Sequence, residues 1–491
     1  MILELASAQA RDLTTLFDDL NAPAARVAVA PLLVLSAGVV LYLLCDVVLG
    51  QLRAMREVVF AAAIACAAGA EWRVLAHPPG SVLYGTFVAN QATALWGFLF
   101  LLATLLAWIH GHGYYRENLP FKPEHDALLL TAPVGMMLMA GAGDLIVFFV
   151  GLELLSIPLY ALCAFRRSRS ASVEAGMKYF LLGSFASAIF LYGAALLYAG
   201  TGTLALEPLA QRDLGSPLAR SGLALVAASL FFKAAVFPFQ WWAPDVYQGS
   251  PTPVTGLMAT GTKAAAFAFL VVQVTPLLPA SDAPVVMALA LVTMAIGNLG
   301  ALVQSDLKRM LAYSSVAHAG NLLLLVAAGM GHPDQHGALR AALYYLGGYL
   351  FTAMGAFGLV ARLEITGTRS TELSALRGLS RTRPGTSALM ALFMLSLGGI
   401  PATAGFLGKW FVFGVLVREG WIAAAVIGAL LSVIALGYYL RVIVVLYMQP
   451  APEGAEPAPR APWSVSAAGA LCAVFVLAMG LLPSWFLGLL D

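Results

Sequence analysis

Long apolar runs joined by short polar links dominate the chain, and 14 of them are long enough to cross about 30 Å of hydrocarbon. They fall at 27–49, 57–75, 88–110, 126–142, 144–165, 174–200, 218–246, 252–278, 283–304, 307–329, 338–362, 385–417, 420–447 and 463–489. The pattern predicts an all-α polytopic membrane protein with 14 transmembrane helices. A very tight turn is expected at Gly141-Ala-Gly-Asp144. The runs around Pro238 and Pro401 are long and proline-interrupted, so each is read as two half-helices, the broken helices 7 and 12.

The breaks also suggest a duplication. The blocks 126–278 (helices 4–8) and 283–447 (helices 9–13) hold five runs each, and in each the fourth is the broken one. Odd-length blocks in tandem have opposite topologies, which makes them two inverted five-helix repeats. They sit between an N-terminal three-helix segment, 1–125, and a C-terminal helix, 463–491.

Composition agrees: 60% of the 491 residues are hydrophobic and 11% charged, far from the balance of a soluble domain. A net charge of +2 provides no basic field for nucleic acid. Cys45, Cys66, Cys163 and Cys472 lie far apart inside apolar runs and are read as packing residues. Glu4 and Asp12 precede the first apolar run, so no cleaved signal peptide is expected. Longer links fall near 111–125, 363–384 and 449–462, and no soluble domain is expected to be appended.

Orientation follows from lysine and arginine in the links. With the first helix running outside to inside, about 15 of them face inward, among them Arg166, Arg167, Arg169, Lys308 and Arg309, against 7 outward. Both termini are therefore expected outside.

A few ionisable residues remain inside the runs: Glu153, Lys233, Lys263, His318 and Lys409. A charge at the bilayer centre costs about 2.5–3.5 kcal/mol on insertion scales, so such residues face a protein interior or a watery path. Glu153 is the one central carboxylate and the natural partner of Lys233. A fixed salt bridge locking two helices is one reading of that pair. Three lysines exceed one acid, however, and an unpaired buried lysine exchanges protons at working pH. The row is thus read as a proton relay, with Ser156, Ser229, Thr260, Thr262, Ser314 and Ser315 as candidate bridges or helix-packing residues. His318, a side chain that titrates near neutrality, is read as a relay member over a hydrogen-bonded core residue. Lys178 lies nearer a helix end, where snorkelling and a structural role both fit. His332, Asp334 and His336 are read as a solvated loop before a metal site. No motif for nucleotide, iron–sulfur cluster or haem is found, so the energy source is expected elsewhere.

Several motifs resemble a known family. Glu153-Leu-Leu-Ser-Ile-Pro-Leu-Tyr160, Lys178-Tyr-Phe-Leu-Leu-Gly183, Ala243-Pro-Asp-Val-Tyr-Gln-Gly-Ser-Pro-Thr-Pro253, Lys308-Arg-Met-Leu-Ala-Tyr-Ser-Ser315 with His318, and Gly399-Ile-Pro-Ala-Thr-Ala-Gly-Phe-Leu-Gly-Lys409 are similar to the antiporter-like membrane subunits of respiratory complex I (NADH:quinone oxidoreductase), nearest its bacterial subunit N branch. The similarity spans about residues 125–450. The resemblance implies a midplane proton path in which Glu153 matches the fifth-helix glutamate, Lys233 its paired seventh-helix lysine and Lys263 the central eighth-helix lysine. Lys409 matches a twelfth-helix position that is lysine in some paralogues and glutamate in another. Gln248 departs from the family, where an acid is expected. The resemblance further implies the bacterial inner membrane, with termini on the periplasmic side, and partners in the other membrane-arm subunits. It implies no cofactor in this chain; FMN, iron–sulfur clusters and quinone are expected in partner subunits of the complex. Two alternatives stand beside it: a subunit of a multi-subunit Mrp-type cation/proton antiporter, and a scaffold with locked charges.

Overall fold

With hydrocarbon outside, every backbone N–H and C=O must find its partner within the protein, and the apolar runs accordingly fold as helices. The computed structural model describes residues 19, 21–49, 53–118, 122–331, 336–365, 370–450 and 463–489. Arg11, His332, Asp334, Arg369, Arg460 and most of the 449–462 link lie outside the described residues.

The first half of the chain forms α1 (Pro23–Leu49), α2 (Arg53–Ala76), α3 (Gln91–Asn118), α4 (Pro123–Gly141), α5 (Leu145–Cys163), α6 (Ser170–Thr201), α7 (Pro217–Ala234), α8 (Trp242–Gly249) and α9 (Thr252–Leu277). The second half forms α10 (Ala283–Leu302), α11 (Leu307–Gly329), α12 (His336–Ile365), α13 (Pro384–Gly398), α14 (Ala404–Arg418), α15 (Ile422–Met448) and α16 (Trp463–Leu481). Among the described residues 12 helices are long and apolar enough to cross a membrane. Outside that set are α4, whose first turn holds Glu124 and Asp126, the short α8 of 8 residues, and the pair α13 and α14, 15 residues each.

The link between α2 and α3 contains a small antiparallel hairpin, β1 (Gly80–Val82) and β2 (Phe87–Ala89), with Gly80 opposite Ala89. It clamps the tight turn after α4, where Gly143 N donates to Thr86 O at 2.8 Å. Asp144 then caps α5 by accepting from Ile146 N at 2.6 Å. Asp306 caps α11 in the same way, through Arg309 N at 2.8 Å.

Small residues bring helices together. A Cβ on Gly135 of α4 would lie 2.4 Å from Leu155 N, and one on Gly151 of α5 2.8 Å from Met139 N. The centre of the molecule is α9, α11 and α12, enclosed almost completely, whereas α1, α6 and α15 bury a third or less of their apolar windows. One cation that the sequence pattern assigns to an inward link is interior instead. Lys308 is 0% exposed, because α8 and the following turn cover the start of α11 and Lys308 donates to Ser250 O at 2.6 Å.

Candidate functional site

Lys233 lies in the last turn of α7, which stops at Ala234 and resumes as α8 at Trp242. Ala235 adopts φ 59°, turning the chain out of the helix, and the Phe237–Pro238 peptide is cis. Groups freed by the interruption are satisfied by neighbours. Trp242 Nε1 donates to Phe232 O at 2.9 Å, and Phe237 N donates to Thr293 Oγ1 of α10 at 3.1 Å. The ammonium of Lys233 reaches Ser156 Oγ of α5 at 2.7 Å and the hydroxyl of Tyr179 on α6 at 3.2 Å. Tyr179 is held in place by stacking on Trp242, centroids 4.8 Å apart.

Glu153 lies one turn before Ser156 on α5, and there it accepts a hydrogen bond from Ser187 of α6. Among the described residues no ion pair joins Glu153 to Lys233, which corrects the direct pairing expected from sequence. Ser156, three residues from Glu153 on the same helix, accepts from Lys233 and itself donates to Leu152 O, while the Glu153 carboxylate is held by Ser187.

Lys263 follows a π-helical turn, Met258–Thr262, inside α9. Such a turn inserts one extra residue and re-aims the side chain after it. Thr260 and Thr262 spend their hydroxyls on their own helix, bonding Gly256 O at 2.8 Å and Met258 O at 2.6 Å. Lys263 is 2% exposed and donates to Ser315 of α11, to its Oγ at 2.7 Å and to its backbone carbonyl. No carboxylate of the described residues pairs with it.

One turn beyond Ser315, His318 bridges three helices. Its Nδ1 lies 2.6 Å from the hydroxyl of Tyr345 on α12, and its Nε2 3.3 Å from that of Tyr439 on α15. Tyr439 in turn meets Ser314 Oγ at 2.5 Å. The second interruption separates α13 from α14 at 399–403, around Pro401, with Gly399 at φ 84° and Ala402 at φ 69°. Lys409 of α14 reaches back across it to the carbonyls of Leu397 and Gly398, each at 3.0 Å. Both Lys233 and Lys409 therefore sit at a helix C-terminus, the negative end of its dipole.

Lys178 stands apart from this row. It is 41% exposed and bonds Glu174 at 2.7 Å and Asp245 at 3.0 Å, while Arg309 joins Asp245 at 2.6 Å and Gln248 at 3.2 Å. His336 opens α12 and belongs to no relay contact described above. The sequence reading missed Tyr179, which accepts from Lys233, Tyr345 and Tyr439, which meet His318, and Glu364, 4% exposed, which accepts from Thr252 and faces Arg169 at 3.7 Å. A carboxylate directly after the apolar run 338–362, still within the helix, was the available signal for Glu364.

Residues 142–435 match the family model described as NADH:quinone oxidoreductase/Mrp antiporter, TM. The chain is 39% identical to NADH-quinone oxidoreductase subunit N of Myxococcus xanthus, covering 94% of this chain and 96% of that one. Among solved structures it resembles a chain of respiratory complex I from Thermus thermophilus with bound aureothin, 34% identical with a TM-score of 0.78, covering 93% and 98%. A chain of the Mrp complex from Dietzia shares the fold at 23% identity with a TM-score of 0.82, covering 94% and 96%.

Proposed function

The chain belongs to the subunit N branch of the NADH:quinone oxidoreductase/Mrp antiporter family, and from that premise we propose that it translocates protons as a membrane-arm subunit of a respiratory NADH:quinone oxidoreductase. Glu153, Lys233, Lys263, His318 and Lys409 carry the proton, with Tyr179, Ser156, Ser315, Tyr345 and Tyr439 as the hydroxyls between them. Partner subunits hold FMN, the iron–sulfur clusters and quinone, and this chain does no redox chemistry. It works in the bacterial inner membrane with both termini periplasmic, its two halves, 126–278 and 283–447, serving as inverted repeats around Pro238 and Pro401.

Quinone reduction in the partners changes the field at Glu153, and the proton on Lys233 passes toward Lys263 and on to Lys409. Moving one charge across 100 mV takes about 2.3 kcal/mol. Exchanging one hydrogen bond to a charged group involves about 1.5–3 kcal/mol, which is the same scale.

The observation that carries this reading is Lys263, enclosed and bonded only to neutral oxygens of Ser315 among the described residues. A locked scaffold has no use for a buried cation without a counter-charge. In the assembled complex, Lys263→Met is expected to abolish proton translocation by this subunit and slow quinone reduction several-fold. An assembled variant with a normal proton-to-electron ratio would sink the relay. The Mrp-type reading shares the fold; it predicts a complex that exchanges cations for protons and carries no flavin or iron–sulfur subunits, which purification of the native assembly checks.

A further inference from the structure

Two enclosed ionisable groups stand outside the row: Glu364, near the end of α12, and Lys308, in the first turn of α11. They come together over the turn between α8 and α9. Thr252, the first residue of α9, donates to Glu364, and the carbonyl of Ser250 accepts from Lys308 at 2.6 Å. Glu364 is near enough for its charge to act on Lys308, and Arg169 and Arg166, in the link between α5 and α6, and Asp306, the cap of α11, act on it too. No carboxylate of the described residues bonds Lys308 directly. A salt bridge that only fastened helices would put ammonium and carboxylate in contact, since separation leaves the desolvation of both poorly offset. Here each is bonded to the turn instead.

Both members of this pair lead further. Toward the surface, Glu364 faces Arg169 at 3.7 Å, and Arg169 lines a cavity of about 320 Å³ with Lys178, Asp245, Gln248 and Gly249. The charged groups of its rim are exposed, which suits water, and its wall reaches Gly249, the residue before Ser250. Toward the centre, the hydroxyl of Ser250 is enclosed and has no hydrogen-bond partner among the described residues. A buried hydroxyl left so is uncommon and calls for a reason. Tyr247, three residues earlier and buried, turns its hydroxyl to Ser315, the residue that holds Lys263. Along α11, Lys308 and Ser315 are about 10 Å apart at 1.5 Å per residue, a span that a lysine side chain and two hydroxyls can cover.

We propose that Glu364 and Lys308 form an inlet that loads the row at Lys263 with protons from this end of the molecule. The inlet presupposes that Lys263 relays protons. The Glu364 carboxylate takes a proton from water in the charged cavity, and its O–H gives that proton to the neutral amine of Lys308. The resulting ammonium releases one proton to the Ser250 hydroxyl, which passes its own to Tyr247. Tyr247 and Ser315 complete the transfer to the neutral amine of Lys263. Each hydroxyl gains one proton and loses one, so only Lys263 ends with the added charge.

Proton translocation by the purified complex in proteoliposomes, with equal pH on both sides, is measured from about pH 6 to about pH 8.5. Glu364→Gln keeps an oxygen for Thr252 but takes up no proton at working pH. It is expected to be several-fold slower than wild type at the alkaline end, where protons are scarce, and to approach wild type at the acidic end. Glu364→Asp is expected to restore most of the rate. Ser250→Ala is the second arm: it removes a hydroxyl that bonds nothing among the described residues and leaves the carbonyl that Lys308 uses. The assembled Ser250→Ala complex is expected to be several-fold slower at every pH. Wild-type rates in Ser250→Ala, wild-type rates in Glu364→Gln across the range, or a Glu364→Gln loss of equal size at every pH overturn the inlet. If Glu364→Gln does not assemble, Ser250→Ala alone decides. Lys263→Met run beside them separates the inlet from the relay. Normal pumping in Lys263→Met removes the relay itself, whereas a silent Lys263→Met with wild-type rates in Ser250→Ala and Glu364→Gln removes only the inlet.

Discussion

At the scale of single residues, each lysine of the row is held by a specific neighbour whose identity matters. Gly399 shows this most directly. Its φ of 84° is strained for any residue with a Cβ, and a Cβ there would lie 3.1 Å from Lys409 Cδ and 3.2 Å from its Nζ. Gly399→Ala is expected to cost about 1 kcal/mol or more of stability and to push Lys409 off the carbonyls of Leu397 and Gly398. Proton translocation by the assembled variant should fall several-fold; a normal rate would show those two bonds to be dispensable. His318 is the opposite case, a side chain fixed by three elements at once. Tyr439→Phe removes the hydroxyl that joins His318 to Ser314, and slowed pumping with unchanged assembly is the expected result.

At the scale of elements, the interruption between α7 and α8 depends on a helix distant in sequence. Phe237 N finds its acceptor in Thr293 of α10. Thr293→Val leaves that N–H unpaired and is expected to destabilise the fold by about 1–3 kcal/mol, seen as a lower unfolding temperature of the purified complex. An unchanged temperature would mean that the N–H finds another partner. Much of this element was legible in the sequence. Lys233 and Pro238 stood out because a cation and a proline are rare in an apolar run, and the same logic found Lys263, Lys409 and Pro401. Thr293, Tyr179 and Tyr439 were not legible, for a physical reason. A membrane helix is apolar all round, so its pattern does not say which face meets which neighbour, and a hydroxyl has no recognisable cost until its partner is known. Lys308 failed in the other direction. A basic residue at a helix start reads as a solvated link, and only the cover from Ser250 makes it interior.

At the scale of the molecule, enclosed helices separate from peripheral ones. A lipid-soluble carbene probe is expected to label α1, α6 and α15 and to spare α11 and α12, and labelling of α12 would contradict the packing described above. The row itself crosses this enclosed centre, and its three lysines share one property. Each is met by two protein oxygens: Ser156 and Tyr179 for Lys233, the carbonyl and hydroxyl of Ser315 for Lys263, the carbonyls of Leu397 and Gly398 for Lys409. An ammonium has three N–H groups and a neutral amine two. A lysine that gives up its proton therefore keeps both of its anchors and turns a lone pair to the next donor. On the proposed relay, charged and discharged forms would use the same two protein oxygens, so a transfer would require no exchange of anchors.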